Sequence, residues 1–164
     1  MAYATTCVVA NHIANTFLTL AFSEGADVAY KDLQALLSLF YEEYYEVRRK
    51  LPFTEPVLAL PAGPCVESIR SKFECFGRAP IKRFGRDASG NVYSLSPTTR
   101  GHEDVHVYRV WGVFRCLGAQ ETRRLVTMGS DVESPWALAR KAERRTIEEQ
   151  DLINNDYMRR VCAL

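Results

Sequence analysis

The segment His102–His106, HEDVH, is the one stretch whose residue types and spacing spell out a known chemistry. On a helix, residues four apart share a face, so His102 and His106 can converge on one zinc ion. Glu103 is then placed to act as general base on a metal-bound water. A third protein ligand is required, and Glu121 or Glu133 is the available carboxylate. His102, His106 and Glu121 around zinc, with Glu103 beside the water, would make a hydrolase. The placement of the motif argues against this. It opens its helix directly after SPTTRG instead of lying inside an apolar run. Glu103 and Asp104 also have a plainer role, because carboxylates favour helix N-termini. The expectation is therefore no metal, no cofactor and no catalytic residue, with the two histidines incidental to a first helical turn. P-loop, G-x-G-x-x-G and G-x-S-x-G patterns are absent. His12 reads as a polar residue at a helix edge.

Cysteine chemistry is equally sparse. Cys7, Cys65, Cys75, Cys116 and Cys162 are odd in number and contain no C-x-x-C, so neither a disulfide framework nor a zinc knuckle is implied. Cys65 falls two positions inside an expected helix start, where a thiolate is favoured. The plainer reading is a set of small, partly buried thiols in a reducing compartment.

Bulk properties narrow the class. The chain has 164 residues, enough for one domain spanning residues 1–164. It is 47% hydrophobic and 25% charged, the balance of a folded globular protein. The net charge is +1, and a dedicated nucleic-acid binder would carry a basic excess, so nucleic acid is not the expected partner. No apolar run approaches the roughly 18 residues of a membrane span. The N-terminus lacks an early basic region, and Asn11, His12 and Asn15 interrupt its apolar stretch. The expected location is cytoplasmic, with no membrane partner.

The elements that must position these residues are mostly helical. Ala10, Ile13, Ala14, Phe17, Leu18 and Ala21 predict a helix over about 6–23, ended by Gly25. Leu33, Leu36, Leu37, Phe40, Tyr44 and Val47 predict a second over 30–50, whose closing triplet Arg48, Arg49 and Lys50 reads as a solvated helix end. Val57–Leu60 reads as a short strand inside a proline-rich connection. Gly63 and Pro64 then open an apolar-periodic stretch closed by Gly77. Proline suits a first helical turn, so a helix of about three turns is expected there. Later helices are expected over 107–117, 119–128, 135–144 and 146–161, the last with Thr146 and Glu149 as a capping box. The fold class is mainly α: a compact bundle of about six helices with a small β-hairpin.

That hairpin is placed at Ile81–Phe84 and Asn91–Leu95, across GRDASG. Arg83, Phe84, Arg86 and Tyr93 on it are of the types enriched in binding hot spots, and they are the candidate partner-binding residues.

Four segments in order resemble the Panacea family, the SocA-like antitoxins. VANHIANTFLTLAFSEGADVAYKDLQALLSLFYEEYYEV is similar to that family's opening helix pair. GPCVESIRSKFECFGRAPI is similar to its Gly-Pro-Val segment, with Cys65 where valine is common and Ala62 where an aromatic or charged residue usually precedes Gly-Pro. VYRVWGVFRCLGAQETRRLVTM resembles its helix–turn–helix-shaped pair, with Thr127-Met128 in place of Thr-His. ESPWALARKAERRTIEEQDLINNDYM is similar to its Ser-Pro-Trp segment and final helix. The resemblance implies that Gly63, Pro64, Ser134, Pro135 and Trp136 are structural, with Trp136 an anchor whose indole N–H is bonded. It also implies charged, variable residues where HEDVH stands. Function follows as an expectation: a binding protein that neutralises a protein toxin, by direct contact or by delivery to a protease. The alternative is a phage or mobile-element inhibitor of a host defence protein.

Overall fold

Helix α2, Tyr30–Arg48, is the axis about which the other elements pack. The computed structural model describes residues 9–93, 101–128 and 133–153. Around α2 stand α1 (Ala10–Glu24), α3 (Glu67–Phe73), α4 (Gly101–Leu117), α5 (Ala119–Met128) and α7 (Glu149–Ile153). Strands β1 (Val57–Leu60) and β2 (Gly63–Val66) form an antiparallel pair, and α6 (Pro135–Lys141) packs on β1. The protein is thus mainly α with one two-stranded sheet. No helix among the described residues is long and apolar enough to cross a membrane.

The apolar stripe predicted on α2 is only part of its buried surface. Every residue from Asp32 to Tyr45 is buried, polar ones included. A helix enclosed on all sides must find partners for its polar groups, since an unsatisfied buried group costs about 1–3 kcal/mol. Asp32 accepts from the Ala29 amide at 2.9 Å and from Arg123 at 3.1 Å. Gln34 exchanges two hydrogen bonds with the backbone of Val66 on β2. Glu42 is less well served: Ser38 reaches Oε1 at 3.4 Å, and Oε2 has no partner.

Helix α1 follows its periodicity. Ala10, Ile13, Ala14, Phe17 and Leu18 are buried, and Gly25 closes the helix in the left-handed region at φ 64°. Its first turn is held from outside, where Glu55 accepts from the Ala10 amide at 2.8 Å. Trp111, buried on α4, donates its indole N–H to Glu24 at 2.6 Å and joins α4 to the end of α1.

The Gly-Pro segment departs from expectation. Gly63 and Pro64 begin β2 and not a helix, with Leu60 paired to Gly63 across Pro61 and Ala62. Gly63 takes φ +134°, which L-residues rarely adopt and a helix excludes. Pro64 sits opposite Ala59, at a register position where its missing N–H leaves no ladder bond unmade. The helix starts only at Glu67, and a 3₁₀ turn over Glu74–Phe76 precedes Gly77. Cys65 is therefore a strand residue, 5% exposed, and burial pushes its thiol pKa up, against any thiolate.

The small β-element is thus not the predicted hairpin. Around GRDASG the described residues form only an isolated bridge between Arg86 and Val92; Ser94 and Leu95 lie outside the described residues. The expected capping box is also displaced. Thr146 bridges Leu58, and the 145–147 segment bonds along the outer edge of β1. Asp151 caps α7 instead, accepting from the Glu148 amide at 2.9 Å. The predicted end of that helix, 154–161, lies outside the described residues, as do Thr6, Cys7 and Cys162.

Candidate partner-binding face

The segment from Lys82 to Tyr93 is held as a defined loop by one buried side chain. Asn15, 3% exposed on α1, donates to the carbonyls of Gly85, at 2.9 Å, and Tyr93. Its Oδ1 accepts from the Gly85 amide at 2.8 Å. The Tyr93 amide also reaches the Gly85 carbonyl at 3.2 Å and the Asp87 amide the Asn91 carbonyl at 2.8 Å, so the two arms of the loop are joined by one bridge and tied to α1 by Asn15. At its tip the Asp87 carboxylate accepts from the amides of Ser89 and Asn91, both at 2.9 Å, closing a tight turn. Gly85 admits no larger residue without rearrangement, since a Cβ would lie 3.2 Å from the Phe73 ring and 3.3 Å from Asn15.

The four candidate residues are placed differently. Arg83 is exposed and lies over the Phe76 ring, 5.1 Å from its centroid, with Cys75 Sγ at 3.8 Å. Phe84 is half-buried, edge-on to Phe22 at 5.0 Å. Arg86 is exposed and donates to the Gly90 carbonyl at 2.8 Å. Tyr93 is half-buried between His12, at 5.3 Å, and the Lys72 ammonium, at 5.5 Å. His12 is thus a ring partner of Tyr93. Arg83, Phe84 and Arg86 share a stretch of loop; Tyr93 contributes mainly to anchoring it. Neither Arg83 nor Arg86 has a carboxylate within ion-pair distance among the described residues, while Lys82 lies 3.9 Å from Asp27.

The structural motif residues hold the hairpin turn. Ser134, fully buried, caps α6 by accepting from the Ala137 amide and donates to the Thr127 carbonyl, each at 3.2 Å. Pro135 occupies the first turn of α6. Trp136 is half-buried and its indole N–H donates to the Leu60 carbonyl at 2.8 Å, beside Gly63 and Pro64.

The zinc motif resolves into a different arrangement. His106 is no incidental first-turn residue: it is 2% exposed, on the inner face of α4. Its Nδ1 bonds Glu43 Oε2, and its Nε2 accepts from Arg48 Nε at 3.3 Å. The Nδ1–H tautomer satisfies both contacts and leaves no ring lone pair for a metal. Arg109 donates to the other Glu43 oxygen at 2.7 Å. Arg48, Arg49 and Lys50 are exposed, as expected of a solvated helix end, but Arg48 also turns its Nε to this cluster, and Arg49 closes α2 at φ 55°. Glu121 is exposed and pairs with Arg124, and Glu133 is exposed and pairs with Lys141. The side chains of His102 and Glu103 lie outside the described residues. Among the described residues no group of three or more His, Cys, Asp or Glu is arranged to hold a metal ion.

Sequence reasoning missed Glu43, Arg109 and Asn15. The available signals were Glu42-Glu43 inside an apolar helix and asparagines on the apolar face of α1. No protein-family model, curated protein or solved structure matches the chain. What is defined is a mainly α fold with a fixed basic and aromatic loop.

Proposed function

We propose that the protein is an antitoxin-like binding module that neutralises a protein toxin, either by direct contact or by delivering it to a protease. The observation that carries this is the anchoring of the Lys82–Tyr93 loop by Asn15. A loop already ordered before binding loses little entropy in a complex. It offers Arg83 and Arg86, without carboxylate partners, next to Phe22, Phe76 and Phe84. Arginine and aromatic rings in close array suit an acidic protein surface. The ordered resemblance to the SocA-like antitoxins supports the same reading. In it the chain makes and breaks no bonds, and His106 serves the core.

The test is affinity capture from the native host, followed by cross-linking of the purified complex. Lys82, beside the candidate arginines and largely exposed, is the reporter. Cross-links from Lys82 to an acidic face of a growth-inhibiting protein are expected. A complex whose cross-links all lie elsewhere would remove the loop from the interface.

A further inference from the structure

A pocket of about 200 Å³ opens between the start of α2, the β1–β2 turn, α3 and α5. Leu60, Ala62, Pro64 and Val126 give it apolar walls. At its inner end Gln34 is immobilised by its two bonds to Val66, at 2.9 and 3.1 Å. Tyr30 stands beside it. Burial holds its phenol pKa up to about 12, so the O–H keeps its proton. The phenol oxygen accepts from Gln34 at 3.4 Å, and the nearest acceptor for its proton is Cys65 Sγ at 3.9 Å, a weak partner. A donor is therefore available to a bound oxygen.

The rim is basic. Lys31 is exposed and has no carboxylate within ion-pair distance among the described residues. Arg70 is shared between Glu67 and Glu74, and Arg123 is held by Asp32. Pro64 presents no N–H along this edge of β2, and Gln34 already occupies the backbone groups of Val66. Strand addition is thereby disfavoured, and recognition falls to side chains. The pocket also adjoins the loop face. Glu74 lines it, and Phe76, two residues on in the same 3₁₀ turn, lies under Arg83.

We infer that this pocket receives an apolar side chain from an extended, acidic segment of the polypeptide partner, with a neighbouring carboxylate of that segment on Lys31. The inference rests on the reading of the loop as a protein-binding face. Its basis is the pairing of an apolar cavity with one unneutralised cation, Lys31, on the side of the fold where the pocket adjoins the Arg83 loop through the Glu74–Phe76 turn. A polypeptide spans both places, whereas a small acid fills only the first.

The probe is the capped tripeptide acetyl-Glu-Leu-Glu-amide, titrated into the ¹⁵N-labelled full chain. Saturable shifts are expected at the amides of Lys31, Gly63, Cys65 and Thr127. The Gln-Leu-Gln counterpart should bind about tenfold more weakly. Lys31→Glu should weaken the acidic peptide about tenfold, and Ala62→Trp should abolish its shifts. Both positions are exposed, and glutamate suits the start of a helix, so folding should be preserved. The absence of shifts at millimolar peptide, or an unaltered titration in Lys31→Glu, would overturn the inference. So would 3-methylbutanoate binding as tightly as the peptide. A captured partner separates this from the broader reading. If Ala62→Trp binds it normally and Arg83→Ala weakens it, the pocket inference fails alone. If neither matters, the face itself is wrong.

Discussion

The carboxamide of Asn15 and the backbone of Gly85 bond to each other in both directions, amide to Oδ1 at 2.8 Å and Nδ2 to carbonyl at 2.9 Å. The two residues are 70 apart in sequence, and both are buried. Asn15→Ala would leave the Gly85 amide and carbonyl, and the Tyr93 carbonyl, without this partner. A loss of about 2–4 kcal/mol is expected in denaturant unfolding. Hydrogen exchange should accelerate first at Gly85 and Tyr93. Acceleration spread evenly over α1 would mean that Asn15 supports the helix and not the loop.

Gly63 is the residue on which the β1–β2 turn depends. Its φ of +134° strains any side chain, and a Cβ would also lie 3.4 Å from Thr127 Cγ2. Gly63→Ala should cost about 1–3 kcal/mol. Gly112, exposed on α4 with nothing near its Cβ direction, is the control, and alanine there should be neutral or stabilising. Equal effects at the two sites would contradict the strained turn.

Glu42 should make stability depend on pH. Burial, with repulsion from Glu46, raises its carboxyl pKa from 4.5 to about 8, although the Ser38 hydroxyl opposes the rise. Between those values the folded chain holds a proton that the unfolded chain releases. Its contribution is therefore fully present below about pH 4.5 and is lost as pH rises toward 8. Glu42→Gln should flatten that part of the profile and unfold at higher temperature than the parent at pH 8.5. An unchanged slope would show that Glu42 is solvated.

His106 should matter for stability and not for metal. Removing it leaves the buried Glu43 with Arg109 alone and empties space against Phe40 and Tyr44. His106→Ala should cost about 3 kcal/mol or more. Equimolar zinc should leave the parent melting temperature unmoved. One zinc per purified chain, lost together with stability in His106→Ala, would restore the metal reading.

What the sequence made legible was local. The stripe on α1, Gly25 at its end, and Ser134-Pro135 at the start of α6 each follow from the spacing of a few residues. Gly63-Pro64 was ambiguous in the same local terms. Proline without an N–H suits a first helical turn and an edge strand equally, and pairing with residues 57–60 decides between them. The candidate loop was found by its turn residues, but its anchor was not, because Asn15 acts across 70 positions. HEDVH misled for a related reason. Its spacing is that of a metal site, and only the fold shows Glu43, 63 positions away, already bonded to His106.

The most direct measurement is calorimetric titration of the captured partner against the parent chain and the double variant Arg83→Ala, Arg86→Ala. Affinity should fall about tenfold or more, the loss expected when hot-spot side chains are truncated. Both arginines are exposed, so the melting temperature should stay within about 2 °C. Undiminished affinity in a fully folded variant would contradict the assignment of this loop as the binding face.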